Sequence, residues 1–337
     1  MSKLSNILIN KNSCKSIWFM RQAGRYLPEF REIRNKNPNF IKLCLNSKLS
    51  SEITLQPIKR FDLDSAIIFS DILMVPFALG QDVNFVKNSG PKLSNFSYEN
   101  FMNNTEQGFL KRLDPVYKSI EITRKTLDQN KSLICFVGAP WTLLIYMLDL
   151  KKDQKQIDIE KLNDNETLIN KIINHLIKYL CIHINNQISA GADVVQIFDS
   201  WAGLIPKVNL KNYCYIPNLK IIEFCKSKKI PNICFPKGIK KNYLEFNKFV
   251  KPDGINLDPE IDPFWAKSNL RQVVLQGGLD PKTLLQSEND IMEGATKYIK
   301  TFKDIPYVFN LGHGLLPETD PDRVNYLIKF YRNFYEQ

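Results

Sequence analysis

Histidine and paired cysteine are scarce in this chain, which holds 3 histidines and 7 cysteines in 337 residues. The nearest two cysteines, Cys225 and Cys234, stand nine positions apart, so there is no CxxC to form a zinc ribbon or a dithiol redox pair. H-x-x-x-H and H-E-x-x-H are missing as well, and no metal is expected. Neither G-x-G-x-x-G nor G-x-x-x-x-G-K-[ST] occurs, which removes the usual cradles for dinucleotides and nucleoside triphosphates. Without a G-x-S-x-G elbow, a Ser–His–Asp hydrolase would have to rely on His313. The longest apolar stretch, 66–79, is broken by Ser70, Asp71 and Pro76 and is too short to cross a bilayer. Residues 1–16 carry only Ile7-Leu8-Ile9 as an apolar run, so no secretory leader is read there. A soluble, cytoplasmic protein with reduced thiols is expected.

Positive charge is in excess. Lys+Arg 46 against Asp+Glu 35 gives a net charge of +11. That balance suits an acidic small molecule or a nucleic acid. The lysines are scattered, as at Lys151-Lys152, Lys226 with Lys228-Lys229, and Lys240-Lys241, with no stripe interleaved with aromatics. They read as solvated surface, and no nucleic-acid partner is expected.

Short, continuous apolar runs recur along the chain at 66–69, 133–137, 194–198, 230–235, 254–257, 273–276 and 307–310, with 17–20 as a further candidate. Runs of this kind suit parallel strands covered on both faces. Helical stretches lie between them. The clearest places Ile169, Ile172, Ile173, Leu176, Leu180 and Ile184 on one stripe that ends near Gly191. The last, Pro321 to Tyr335, closes the chain. About eight strand–helix units point to an α/β fold, a single-domain (β/α)8 TIM barrel over 1–337 with its active site at the C-terminal rim of the strands. A doubly wound sheet competes less well without a glycine-rich phosphate turn.

Functional groups gather where strands end. The first run delivers Asp71, the second a helical start bearing Tyr146, the third Ser200, and the last His313 between Gly312 and Gly314. Asp71 and Ser200 could each cap a helix, and Tyr146 could be a core aromatic. His313 resists such a reading, because flanking glycines offer it no packing. His175 and His183 flank an apolar helical stripe and are read as surface or edge positions. Most pointed is Trp18-Phe19-Met20-Arg21-Gln22-Ala23-Gly24-Arg25-Tyr26-Leu27-Pro28. Its two arginines bracket small residues, and a guanidinium fork suits carboxylates or phosphates. The stretch reads as a double clamp for an anion. Residues 80–104, with Ser89-Gly90-Pro91, read as a long loop that could act as a lid.

This set of motifs resembles the uroporphyrinogen decarboxylase family, in order and over nearly the whole chain. Trp18 to Arg25 resembles its N-terminal signature and Phe136 to Tyr146 its second one. Phe69 to Leu73, Phe198 to Gly203 and Asn310 to Gly314 also match. Two places depart. Leu257-Asp258-Pro259 stands where a Leu-Asp-Trp segment is usual, and Gly277-Gly278 replaces Gly-Asn. The resemblance implies a barrel, usually a homodimer, that converts uroporphyrinogen III to coproporphyrinogen III without a cofactor. Arg21 and Arg25 would hold substrate carboxylates, with Gln22, Ala23 and Gly24 lining the same wall. Asp71 would sit under the macrocycle as the main catalytic group, assisted by Arg21. Tyr146, Ser200 and His313 would contact the substrate's rim. The chemistry agrees, since a protonated pyrrole is its own electron sink and a fixed carboxylate stabilises it. A methyltransferase on the same scaffold is the nearest rival, but its His-x-Cys zinc ligands are matched here only by Asn232-Ile233-Cys234.

Overall fold

Apolar runs with no polar alternation cannot leave a face in water, and here they are covered on both sides. The computed structural model describes residues 1–86, 90–151, 156–158 and 165–336. Eight parallel strands form one sheet: β1 Ser16–Ile17, β2 Ser65–Ile67, β5 Ser132–Gly138, β6 Val194–Asp199, β7 Asn232–Pro236, β8 Gly254–Leu257, β9 Val274–Gly277 and β10 Tyr307–Phe309. They run β1-β10-β9-β8-β7-β6-β5-β2, the order of a (β/α)8 barrel, with helices packed outside. Two further strands, β3 Val83–Val86 and β4 Gly90–Leu93, form a separate antiparallel hairpin.

Alternation along the strands sorts their side chains. Ile67, Ile134, Val194, Ile233, Val274 and Val308 point inward and pack together inside the barrel. Leu4, Ile7 and Leu8 from the N-terminal helix Lys3–Asn10 join the same cluster and plug one end. That end holds the strand N-termini, because Leu4 N–H donates to Ser132 Oγ at 3.0 Å, at the first residue of β5. The opposite end is therefore left for chemistry.

The seam between β1 and β2 is closed by side chains. Ile17 N–H donates to Asp64 Oδ2 at 2.8 Å, and Asp64 N–H donates back to Ile17 O at 3.0 Å. Gln22 Nε2 donates to Ser65 O at 3.0 Å while its Oε1 accepts from Phe19 N–H at 3.0 Å. At the rim, Asp199 is buried and accepts from Thr142 Oγ1 at 2.8 Å and Asn218 Nδ2 at 3.2 Å. Thr142 Oγ1 in turn accepts from Trp201 N–H at 3.2 Å. The turn that carries Ser200 is thereby tied to the neighbouring strand.

Two expectations fail. His183 is not at a surface. It is buried and its Nδ1 meets Tyr117 Oη at 3.0 Å, because helix Glu106–Thr126 covers that flank of helix Glu166–Ser189. His175, by contrast, is half-buried and keeps the edge position expected, packed between Phe101 and Tyr179 with ring centroids 4.7 and 4.9 Å away. Residues 80–104 are also no plain loop: the β3–β4 hairpin and helix Tyr98–Met102 fill most of them. Gln81 Nε2 bonds Ser94 O and Met147 O at 2.7 and 2.9 Å, which ties the hairpin's base to the barrel. Ser89 and Lys152 lie outside the described residues.

Gly277 and Gly278 have φ of 76° and 105°, and a β-carbon on Gly278 would lie 2.4 Å from Tyr298 Cε1. The second glycine thus accompanies a tyrosine that fills the space another side chain would need.

Two measurements check this architecture. Leu8→Ala, which hollows the plug, should lower unfolding free energy by about 2–5 kcal/mol in urea titration, without altering the rim. Thr142→Val leaves a buried carboxylate short of a donor, and should cost about 1–3 kcal/mol. Burial pushes the Asp199 carboxyl up to about 6, against the pull of Thr142 and Asn218. The Thr142→Val loss should therefore be larger above about pH 7, where Asp199 is charged, than below about pH 5, where it is protonated.

Candidate active site

The loop after β1 is wired to its neighbours before it reaches its first arginine. Trp18 Nε1 donates to Gln276 Oε1 at 3.0 Å, and Met20 N–H to Asn310 Oδ1 at 3.1 Å. Leu315 N–H donates to Met20 O at 3.0 Å. Arg21 then adopts φ 60°, a left-handed conformation uncommon for a bulky side chain and found where surrounding structure over-determines it. Its side chain lies across Gly314. A β-carbon there would come within 3.0 Å of Arg21 Cβ and 3.1 Å of Nε, so glycine is what lets the arginine pass. Among the described residues no hydrogen bond or ion pair holds the guanidinium of Arg21 or Arg25. Ten N–H donors stand unspent at the mouth.

Gln22 differs from its expected role. Its side chain is fully buried and committed to the β1–β2 seam, so it supports the wall from behind. Ala23 is half-buried, and Gly24 is packed close to Arg21 O. These two small residues leave the wall low between the arginines.

Asp71 follows β2, the strand beside β1 across the seam. Its Oδ1 accepts from Leu73 N–H at 2.8 Å, a tight turn that aims the carboxyl back toward the mouth. Burial pushes this carboxyl up to about 6, while the Leu73 N–H and the Arg21 charge pull it down. Arg21 responds in kind. Burial lowers its pKa, Asp71 raises it and the like charge of Arg25 lowers it again. The aspartate and both arginines thus share one electrostatic neighbourhood.

Tyr146 belongs to the same neighbourhood. Burial raises its pKa and the charges of Asp71 and Arg21 both act on it, so it stays a neutral phenol. It packs edge-on against Trp201, with centroids 6.0 Å apart. Ser200 is half-buried at the end of β6, in the turn that Asp199 and Thr142 hold. His313 accepts from Gly314 N–H at 2.7 Å through Nδ1, which leaves the proton of a neutral ring on Nε2. Burial, with the charges of Lys237 and Arg21, pushes its pKa down to about 4. At neutral pH it is an uncharged donor.

One residue on this list was missed from the sequence. Lys237, just past β7, is half-buried and influences both His313 and Arg21. The signal was slight: Lys237 stands one residue past the run that forms β7. The Asp258-Pro259 departure also lies nearer the site than its place in the sequence suggests. Asp258 Oδ2 accepts from Gly238 N–H at 2.8 Å and from Tyr243 Oη at 2.9 Å, and Pro259 packs against Gly312, next to His313. Cys234 points outward into the helix layer. Among the described residues no three His, Cys, Asp or Glu side chains come together as a metal site would need.

The arrangement therefore combines unpaired cations with one carboxylate and neutral donors. It suits an anion of several charges whose core becomes positive during reaction. Comparison with known proteins bears on which one. Residues 11–334 match the family model described as "Uroporphyrinogen decarboxylase (URO-D)". A protein named uroporphyrinogen decarboxylase from Rickettsia bellii (strain RML369-C) is 39% identical over 337 residues, covering 99% of each chain. One of the same name from Orientia tsutsugamushi (strain Ikeda) is 40% identical over 344 residues, again covering 99% of each. A methyltransferase from Methanosarcina mazei shares the fold, with TM-score 0.75 over 90% of each chain at 17% identity. On a family match over almost its entire length, this chain belongs to the uroporphyrinogen decarboxylase family.

Proposed function

We propose that the protein removes carbon dioxide from the four acetate side chains of uroporphyrinogen III, giving coproporphyrinogen III, in porphyrin and haem biosynthesis. One observation carries the reading at the level of the site: the half-buried carboxylate of Asp71 shares the mouth with two arginines whose guanidinia have no hydrogen-bond or ion-pair partner among the described residues. Arg21 and Arg25 bind acid side chains of the substrate. Tyr146, Ser200 and the Nε2–H of His313 supply neutral hydrogen bonds along its edge, and Ala23 and Gly24 let it close on the backbone.

The chemistry needs an electron sink, and the pyrrole supplies it. A proton adds to the ring carbon beside the one that bears the acetate, and the ring becomes cationic. The C–C bond to the carboxylate breaks, its electron pair forms an exocyclic double bond, and carbon dioxide leaves. Protonation of that methylene carbon and loss of the first proton restore a neutral pyrrole bearing a methyl group. Asp71 accepts hydrogen bonds from the pyrrole N–H groups and stabilises the positive charge as it develops. Arg21 positions the acetate and lowers its charge. The resident groups provide this without an added cofactor.

The reading extends to the whole chain, 1–337, as one domain working as a homodimer in the cytoplasm, without nucleic-acid or membrane partners. Among the described residues no helix is long and apolar enough to cross a membrane.

Anaerobic incubation with uroporphyrinogen III, followed by chromatography of the oxidised products, tests the activity. Heptacarboxylate intermediates and coproporphyrinogen are expected, and folded protein that yields neither overturns the assignment. Asp71→Asn should lower kcat by at least about 10²–10³, the usual cost of losing one preorganised charge contact. Because the Asp71 carboxyl sits at about 6 and its charged form is the useful one, kcat/KM of the parent enzyme should fall as pH drops through that value. Sedimentation velocity reports the dimer.

A further inference from the structure

β7 ends at Pro236, where the chain turns and Lys237 N–H donates back to Phe235 O at 3.0 Å. Ile233 and Phe235 point into the barrel interior, and past the turn Lys237 shares an electrostatic neighbourhood with His313 and Arg21 at the mouth. Three further contacts fix the backbone there. Lys237 N–H donates to Asp199 O at 3.1 Å, its carbonyl accepts from Gly203 N–H at 2.8 Å, and Gly238 N–H donates to Asp258 Oδ2 at 2.8 Å. Gly203 and Gly238 also touch face to face, and a β-carbon on Gly203 would lie 2.8 Å from Gly238 Cα. The Lys237 backbone cannot shift without breaking this corner.

Its place around the ring gives it meaning. Counting along β1-β10-β9-β8-β7, β7 is the fourth strand from β1, and it is the fourth by the other route as well. In a ring of eight, Lys237 therefore faces the Arg21–Arg25 loop across the mouth. Its half-buried side chain has no hydrogen bond or ion pair among the described residues. Burial lowers its pKa, Arg21 adds to that, and Asp258 and Glu260 oppose it. An ammonium held in this way, short of water and of a partner, is unfavourable until an anion arrives.

We propose that Lys237 anchors a substrate carboxylate from the wall opposite Arg21 and Arg25, so that a ring bearing acid groups around its perimeter is gripped at two edges. The inference rests on the polycarboxylate reading of the site and adds a residue to it. Asp258 acts at one remove, holding the Gly238 N–H so that the lysine keeps its aim.

Two experiments test it. In wild-type protein, brief acetylation with acetic anhydride, read by peptide mass, should modify Lys237 freely. Uroporphyrin, the air-stable oxidised ring with the same acid side chains, should protect it while exposed Lys240 stays equally labelled. In steady-state assays with uroporphyrinogen III, Lys237→Met should raise KM by about ten- to a hundredfold, the loss expected for one charge-assisted contact. Its kcat should change little, because the contact is made in ground and transition states alike. Lys237→Arg should recover most of the affinity. Wild-type enzyme that turns over substrate while Lys237 is labelled equally with and without uroporphyrin refutes the lysine assignment alone. Unchanged KM in Lys237→Met refutes it too. If Lys237→Met does not fold, the wild-type labelling decides. Wild-type protein that neither binds uroporphyrin nor turns over uroporphyrinogen refutes both this inference and the activity beneath it.

Discussion

The mouth depends on the closure of the seam between β1 and β2. Among the described residues these two strands are joined by the Asp64 carboxylate, its own backbone N–H and the Gln22 amide, not by a ladder. β1 is short, two residues, because the chain must leave the sheet early to carry Arg21 over the rim. Side chains then replace the missing ladder bonds. Asp64 is buried, and such a carboxylate needs pairing. It has Lys3 at 2.9 Å and Arg332 at 3.1 Å, drawn from the two ends of the chain. Closing the seam sets the loop after β1 beside the loop after β2, and so sets Arg21 beside Asp71. The proximity of Arg21 and Asp71 is here a consequence of barrel closure.

That dependence accounts for what could be read from the sequence and what could not. The strands were legible because parallel strands covered on both faces are uniformly apolar, and Leu133 to Val137 or Val194 to Phe198 can be little else. The rim positions of Asp71, Ser200 and His313 were legible because each stands within three residues of the end of such a run. Gln22 was misjudged because its motif places it among residues of the mouth, and only the fold reveals that its amide turns inward to Ser65. Lys237 was overlooked because a lysine after a strand looks like solvated surface until the fold brings it near His313 and Arg21. His183 was misplaced because a six-residue stripe understates how far a helix is buried when another helix covers its flank. The 80–104 segment carries turn residues in quantity, and these mark a hairpin as readily as a loop.

The two departures from the family pattern are compensated locally. A proline at 259 packs flat on Gly312, so the turn that presents His313 keeps its support without an indole. At Gly278 the left-handed backbone suits glycine, and the space a longer side chain would claim is taken by Tyr298, whose hydroxyl donates to Gly278 O at 2.7 Å. Both changes lie one layer behind the mouth. They alter how the rim is supported and leave its charged groups in place.

On the proposed function, the charges at the mouth also impose an order on the reaction. At an effective dielectric of about 20, a unit charge some 7 Å away is worth roughly 2 kcal/mol. Bare guanidinia and an ammonium around the rim would therefore oppose a cationic pyrrole by several such increments, more than Asp71 alone could offset. The conflict disappears once substrate carboxylates have neutralised the rim. On the proposed function, only then does the negative charge of Asp71 dominate the field at the ring, and only then is protonating the pyrrole favourable. Anchoring would precede proton transfer. An arriving polyanion would thus perform two tasks: it relieves cations that have no partner among the described residues, and it unmasks the carboxylate proposed to carry the chemistry.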